Sequence, residues 1–260
     1  MDRTVLEHLK RASDFEEMSL SVYEKEQDKA ECFTEEFLKM AFEFGKYGLI
    51  FPSKMTRGDM VEILHMVYTL EIDETTRSEV ASGDEQITDK ELCYLIGRIA
   101  YEKTFELHEG KHYNNLKCDV LSKLTNSESD HLKMEQTFQA FEMGLFFPCA
   151  CALTAMVEGI MGKIVRSAET RLYCLMNDVS EKTNHAEKEI IGANLKGFIS
   201  QLAKNSNFVS GDEPVMINRH WLLHGRSKNP IKKVDCLSLF ATYKELLELS
   251  ENANSTAQDK

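Results

Sequence analysis

The segment Cys151-Ala-Leu-Thr-Ala-Met-Val-Glu-Gly-Ile-Met161 decides the fold class of this 260-residue chain. It is apolar apart from a single acid and contains no proline, so it is typical of the centre of a buried helix, which we place at about residues 148–175. A carboxylate in so apolar a helix is costly unless it is paired. Glu158 therefore lies either on the outer face of the helix, or in a polar cleft where it holds an arginine or a histidine.

The sequence on both sides of this helix repeats the helical pattern. Apolar residues recur at intervals of three and four in residues 14–47, 59–72, 88–108, 130–143, 186–204, 213–224 and 235–249. Strand patterns are nearly absent, and only four prolines occur in the whole chain. The sequence therefore predicts an all-α protein.

We expect two helical units in this fold. Residues 1–112 form a helical N-terminal domain, residues 113–129 a polar linker, residues 130–250 a four- or five-helix up-and-down bundle, and residues 251–260 a frayed tail. The N-terminal unit contains one echo of the bundle, since Ala41-Phe-Glu43 precedes a Gly-Leu pair, as Ala140-Phe-Glu142 does. The echo is either a degenerate copy of one helical hairpin or a coincidence between two helix ends.

The composition limits the classes of partner. Lys and Arg number 31 against 43 Asp and Glu, which gives a net charge of −12, so the surface as a whole repels nucleic acids and anionic membranes. We find no signal-peptide core and no apolar run of membrane-spanning length, which favours a cytoplasmic protein. The seven cysteines are odd in number and include no C-x-x-C pair, so we expect reduced thiols.

One motif suggests a metal site. His108-Glu-Gly-Lys-His112 matches the H-E-x-x-H pattern of zinc peptidases, in which two imidazoles share one helical face. Gly110 weakens the helix, and the charged Lys111 lies where such a helix is normally buried. We therefore favour a frayed helix end with solvated histidines, and expect neither a metal nor another cofactor. A zinc hydrolase built on this motif is the third functional alternative.

The strongest candidate site is Asn218-Arg-His-Trp-Leu-Leu-His-Gly225, which we place at the end of a helix spanning about residues 213–224. Five basic residues and no acid occur in residues 214–234, and a local charge of +5 in so acidic a chain indicates an anion site. The five are Arg219, Arg226, Lys228, Lys232 and Lys233.

The chemistry of this segment suits a phosphodiester. An imidazole, with a pKa of about 6.5, can move the protons of RNA cleavage, and a guanidinium can bind two phosphate oxygens. On an ideal helix Arg219 and His224 lie about 140° apart, so a cleft between two copies of the chain is the natural site. Two alternatives remain: His220 and His224 bind a metal, or Trp221, Leu222 and Leu223 are core and the polar groups are merely solvated.

Arg219-x4-His224, with a polar residue directly after the arginine, resembles the R-x(4–6)-H signature of the HEPN superfamily of α-helical ribonucleases from toxin–antitoxin and other defence systems. The order of residues 140–148, the apolar helix with Glu158-Gly159 and the Arg–His motif is similar to the helix order of that domain. The resemblance covers residues 130–250. It implies a homodimer with a composite, metal-independent site that leaves a 2′,3′-cyclic phosphate.

Carried over residue by residue, the resemblance implies a role for each part of the segment. His224 is the general acid and base, Arg219 binds the phosphate, and His220, Asn218 and Glu158 support them. The remaining basic residues bind RNA. These are Arg226, Lys228, Lys232 and Lys233.

The sequence thus predicts a metal-independent endoribonuclease acting in defence, toxicity or stress, with RNA, a second copy of the chain and an antitoxin or regulatory protein as partners. Arg226 stands where the subgroup paired with nucleotidyltransferase antitoxins has a tyrosine, so that particular partnership is not implied. The second alternative is a non-catalytic helical binding or scaffold module of the same fold.

Overall fold

A computed structural model describes residues 35–51, 89–165, 186–204, 213–214 and 216–258. Every regular element in these ranges is an α-helix, which confirms the predicted all-α class. The helices are α1 Glu35–Lys46, α2 Asp89–Lys123, α3 Glu128–Glu142, α4 Phe146–Val165, α5 Ala186–Leu202, α6 Arg219–Leu223 and α7 Lys233–Gln258. The helix predicted over residues 59–72 lies outside the described residues.

The apolar segment at residues 151–161 belongs to α4, and one face of this helix lies in the core. Helix α4 packs against α3 and α7, and α2 also packs against α7. Phe138 of α3 stacks on Phe240 of α7 with ring centroids 4.3 Å apart, and Phe141 meets the edge of the same ring. The residues that α4 contributes to the core include Cys149, Leu153, Val157, Ile160 and Met161.

The described N-terminal helices share this core. Leu116 and Val120 of α2 are buried in it, so residues 113–123 of the predicted linker are helical. Arg98 of α2 forms a buried ion pair with Asp235 of α7, with 2.6 Å between Nη2 and Oδ1. At its other end α7 stays helical to Gln258, into the residues predicted to form a frayed tail.

Helices α1 and α5 approach each other at two glycines. A Cβ atom on Gly45 would lie 1.8 Å from the backbone oxygen of Asn194, and one on Gly197 would lie 2.0 Å from that of Phe42. The Asn194 amide, fully buried, donates to the backbone oxygens of Ala41 and Leu49, both at 2.8 Å. Its oxygen accepts from the amide of Phe51 at 3.0 Å, so α5 fixes both the end of α1 and the chain that follows.

The two segments that resemble each other in sequence, around Ala41 and Ala140, end their helices in the same way. Helices α1 and α3 are each followed by a glycine in the left-handed region, Gly48 with φ 77° and Gly144 with φ 75°. The next amide, of Leu49 or Leu145, bonds back to a carbonyl five residues earlier, which is the Schellman pattern. When the two glycines are aligned, the Ala-Phe-Glu triplets fall three residues out of register.

Helix α4 also bears on the expectation that no segment has membrane-spanning character. Its residues Phe146–Ile164 are long and apolar enough to cross a bilayer, and no other helix in the described ranges is. Part of this span is buried in the core, a pattern that the central helix of a soluble protein also shows. The structure is therefore compatible with a soluble protein.

The approach of α1 to α5 can be tested with Gly197→Ala. The added methyl group overlaps the backbone of α1, so we expect a loss of about 1–3 kcal/mol or more in the free energy of unfolding, measured by urea denaturation. Gly159→Ala on α4 is the matched control, since its Cβ meets no atom of the described residues within 4 Å. It should raise stability by up to about 1 kcal/mol. Equal stability of the two variants would contradict the close approach.

Candidate functional site

The short helix α6 carries the Arg–His segment, and it is shorter than the sequence predicts. The predicted helix over residues 213–224 is wrong in its first half, because regular helix spans only Arg219–Leu223, with Asn218 as N-cap and His224 as C-cap. The Asn218 side-chain oxygen accepts from the amides of His220 and Trp221, at 3.0 and 3.3 Å. This cap, and the extended backbone of Asn218, start the helix there.

The same asparagine joins α6 to the end of α5. Its side-chain amide donates to the backbone oxygens of Gln201, in the last turn of α5, and of Lys204, just beyond it, at 3.2 and 2.8 Å. Asn218 is only 3% exposed. This single side chain therefore fixes where α6, and with it Arg219, begins.

Burial of α6 agrees in part with the purely structural interpretation of the segment. Trp221 and Leu222 are buried, as that interpretation expects of core residues, whereas Leu223 is largely exposed. The aromatic anchor therefore seats α6 against the bundle. The polar residues on either side of it, Arg219 and His224, remain accessible at the two ends of the helix.

Glu158 points to Arg219. Its carboxylate pairs with the guanidinium through Nε and Oε1, and through Nη2 and Oε2 at 3.4 Å. The side chains are 24% and 37% exposed, so the pair lies at the rim of the core rather than in open solvent. Of the two positions that the sequence left open for Glu158, the structure shows the one in which it holds an arginine. This pair ties α4 to α6.

The two histidines form an edge-to-face pair beside this arginine. The imidazole rings of His220 and His224 are 4.7 Å apart at their centroids, with an interplanar angle of 75°. Desolvation lowers the pKa of His220, and the charges of His224, Arg219 and Arg226 lower it further. Burial and three neighbouring basic groups therefore all oppose protonation of His220.

The basic residues after α6 lie on a loop that turns back on the helix. Gly225, with φ 63°, lets the amides of Arg226 and Ser227 bond to the backbone oxygen of Trp221, at 2.9 and 3.2 Å. Of the predicted RNA-binding side chains, Arg226, Lys228 and Lys232 are exposed, and Lys233 opens α7 half-buried.

Sequence reasoning missed two acids that shape this loop. Glu213, expected to start a helix, accepts hydrogen bonds from the amides of Lys228 and Asn229. Asp235 accepts from the amide of Lys232 at 2.7 Å while it pairs with Arg98. The Asp235 contact follows a recognisable capping-box spacing, whereas the Glu213 contact joins residues far apart in sequence and leaves no local pattern.

The structure also bears on the two possible metal sites. Gly110 has a φ of 75° inside α2, which interrupts the regular helix that an H-E-x-x-H pair requires, and the side chains of His108 and Glu109 lie outside those described. Within the described ranges no three His, Cys, Asp or Glu side chains are grouped so as to hold a metal ion, and this includes the surroundings of His220 and His224.

Comparisons of the chain with protein-family models, with curated proteins and with solved structures find no match. The groups of the site itself therefore define its possible chemistry: an anchored guanidinium and two imidazoles, one of them exposed, next to a loop with further cations.

The electrostatic cluster predicts the titration of His220. In an NMR titration of the ring protons, His220 should have a pKa below 6.5, and His224→Asn should raise that pKa because it removes one of the charges that oppose protonation. His131→Asn on α3 provides the matched control and should leave the His220 pKa unchanged. A His220 pKa above 6.5, or one insensitive to His224→Asn, would contradict the cluster.

Proposed function

We propose that this protein is a metal-independent endoribonuclease of the HEPN type, which cleaves RNA by attack of a ribose 2′-hydroxyl and leaves a 2′,3′-cyclic phosphate. The ion pair between Glu158 and Arg219 carries the proposal. It sets a guanidinium at a fixed place beside two histidines, in a chain whose overall charge is −12. A site with these groups is suited to bind one or two phosphates rather than a long stretch of nucleic acid.

Arg219 serves as the ligand of the scissile phosphate. Glu158 engages its Nε and Nη2, which leaves Nη1 without a partner among the described residues. A phosphate oxygen binds at this free edge, and negative charge that develops on the phosphorus-bound oxygens is stabilised by a group already held in position. The carboxylate limits the motion of the guanidinium, so less conformational entropy is lost when the phosphate binds.

His224 supplies the proton transfers. It is exposed at the end of α6 and so can approach a bound ribose, take the proton of the 2′-hydroxyl, or give one to the leaving 5′-oxygen. His220 packs edge-to-face on its ring and orients it, while desolvation and the neighbouring charges lower the pKa of His220 and so disfavour a second positive charge there. Since one imidazole cannot be base and acid in the same step, a second His224 from another copy completes the site.

The remaining parts of the proposal concern the setting. A homodimer brings two α6 helices to one cleft, and RNA is the substrate. The resemblance to the HEPN superfamily favours a cytoplasmic protein that acts in defence, toxicity or stress, restrained by an antitoxin or another regulatory protein.

A non-catalytic helical binding or scaffold module is the second candidate. It is favoured by the same ion pair, because a carboxylate that already neutralises Arg219 is also what a purely structural link between α4 and α6 requires. The two candidates differ in what happens to RNA, which the following experiment measures.

RNA cleavage tests the proposal directly. Purified protein is incubated with RNA in EDTA, and cleavage with cyclic-phosphate ends is expected; the Arg219→Ala/His224→Ala variant should lose at least about 100-fold in rate. His131→Ala/Lys133→Ala removes one imidazole and one cation from α3 and serves as the matched control, with unchanged cleavage. No cleavage by any form across buffers and RNAs favours the scaffold module, and cleavage that EDTA abolishes points to a metal hydrolase.

The composite site is tested by mixing wild-type protein with an equal amount of His224→Ala. After subunit exchange about a quarter of the dimers keep both His224 imidazoles, so the rate per total protein should fall to about a quarter of the wild-type rate. Equilibrium sedimentation verifies that both forms are dimeric. A rate of about one half, which is that of the wild-type protomers alone, would show that each site belongs to one protomer.

A further inference from the structure

The carboxylate of Glu213 organises the basic loop that follows α6. Its Oε2 accepts from the backbone amides of Lys228 and Asn229, at 2.6 and 3.2 Å. Its Oε1 accepts from the hydroxyl of Ser227, whose oxygen also lies 3.1 Å from the carbonyl oxygen of Asn229. One acid therefore satisfies three donors of a single turn and fixes the turn's shape.

The cations of this loop are not neutralised by that acid. Lys228 and Lys232 are exposed, and within the described part of the chain their ammonium groups pair with no carboxylate. Glu213 is occupied by backbone and hydroxyl donors instead of by a lysine side chain. In a chain with 43 acids, two exposed lysines on one loop that pair with no carboxylate of the described residues form a local anion-attracting surface.

The loop is also fixed relative to the proposed active site. Its first amides, those of Arg226 and Ser227, bond to the backbone of α6, and the charge of Arg226 reaches His220. Its last part is held where the Lys232 amide donates to Asp235, at the start of α7. Both ends and the centre of the loop are therefore anchored. Because the loop is already ordered, little conformational entropy is lost when a ligand binds to it.

We propose that Glu213 is a positioning residue, which fixes the turn that carries Lys228, and that Lys228 together with Lys232, held through Asp235, forms a subsite for backbone phosphates of RNA that flank the cleaved bond. The identity of the ligand rests on the proposed ribonuclease function. Because ammonium groups on such a loop contact phosphate and not base edges, the subsite increases affinity without reading sequence. Glu213 acts through the loop and does not touch the RNA.

Binding of an uncleavable RNA tests the subsite apart from catalysis. The probe is a fluorescent single-stranded 2′-O-methyl oligonucleotide, whose Kd is measured by anisotropy from low to high salt. Lys228→Ala/Lys232→Ala should weaken binding about ten-fold at low salt, and the slope of log Kd against log salt should fall by about 1.4, since each phosphate contact on a single strand contributes about 0.7. Lys111→Ala/Lys133→Ala, which removes two exposed lysines elsewhere, should change neither value.

The role of Glu213 is tested by a double-mutant cycle. Glu213→Ala should weaken binding by several-fold, and in combination with Lys228→Ala/Lys232→Ala it should add little, because both changes remove the same contacts. Glu213→Gln keeps an oxygen acceptor for the backbone amides and should retain most of the affinity. Wild-type affinity of Glu213→Ala, or fully multiplicative effects in the combined variant, would overturn the positioning role.

These outcomes distinguish a failure of the proposed subsite from a failure of the proposed ribonuclease function. If the protein cleaves RNA, the loop variants should raise KM and leave kcat unchanged, while Arg219→Ala/His224→Ala abolishes cleavage. If no form cleaves RNA but the loop lysines still set the Kd and the salt slope, the ribonuclease proposal fails and the subsite holds. If Lys228→Ala/Lys232→Ala binds no differently from Lys111→Ala/Lys133→Ala, the subsite is overturned, whether or not RNA is cleaved.

Discussion

Backbone polar groups that leave water must find partners, and two buried asparagines meet this demand where the helices of this protein end. Asn194 binds the carbonyl and amide groups around the end of α1, and Asn218 binds the last carbonyls of α5 and the first amides of α6. Helix α5 thus supports both neighbouring elements. Asn194 fixes α1 against it, and Asn218 fixes α6 to its end. Asn218 thereby fixes where the helix that carries Arg219 and the histidines begins.

The all-α class and the Arg–His segment were predictable because they depend on local pattern: helical spacing, few prolines, and one basic stretch in an acidic chain. The partner of Glu158 was predictable only as a class, since the residue on the facing helix depends on packing. The start of α6 was misjudged because Glu213-Pro214 has good helix-start chemistry, while the asparagine cap that prevails lies four residues further on. The contacts of Glu213 with the loop and of Arg98 with Asp235 join residues that are far apart in the sequence. No periodic pattern in the sequence therefore predicts them.

The site combines opposing electrostatic demands. Cations gathered in one place attract anions, but they also repel one another: besides desolvation, the charges of His224, Arg219 and Arg226 lower the pKa of His220. Glu158 offsets part of this repulsion next to Arg219, and Glu213 brings a further negative charge to the loop while it bonds to the backbone. Positive charge is therefore concentrated where a ligand can reach it without destabilising the helix that carries it. Outside residues 214–234, which carry a charge of +5, the chain has 26 Lys and Arg against 43 Asp and Glu, a net charge of −17.

The ion pair between α4 and α6 has an evolutionary consequence. A change of Arg219 alone leaves Glu158 as a partly shielded carboxylate without its counterion, and a change of Glu158 alone leaves the arginine unheld. Each single step is penalised, whereas simultaneous replacement by apolar residues is tolerated. Lineages that drift away from the Arg–His chemistry should therefore lose both residues together, and sequences that keep one of the two should be rare.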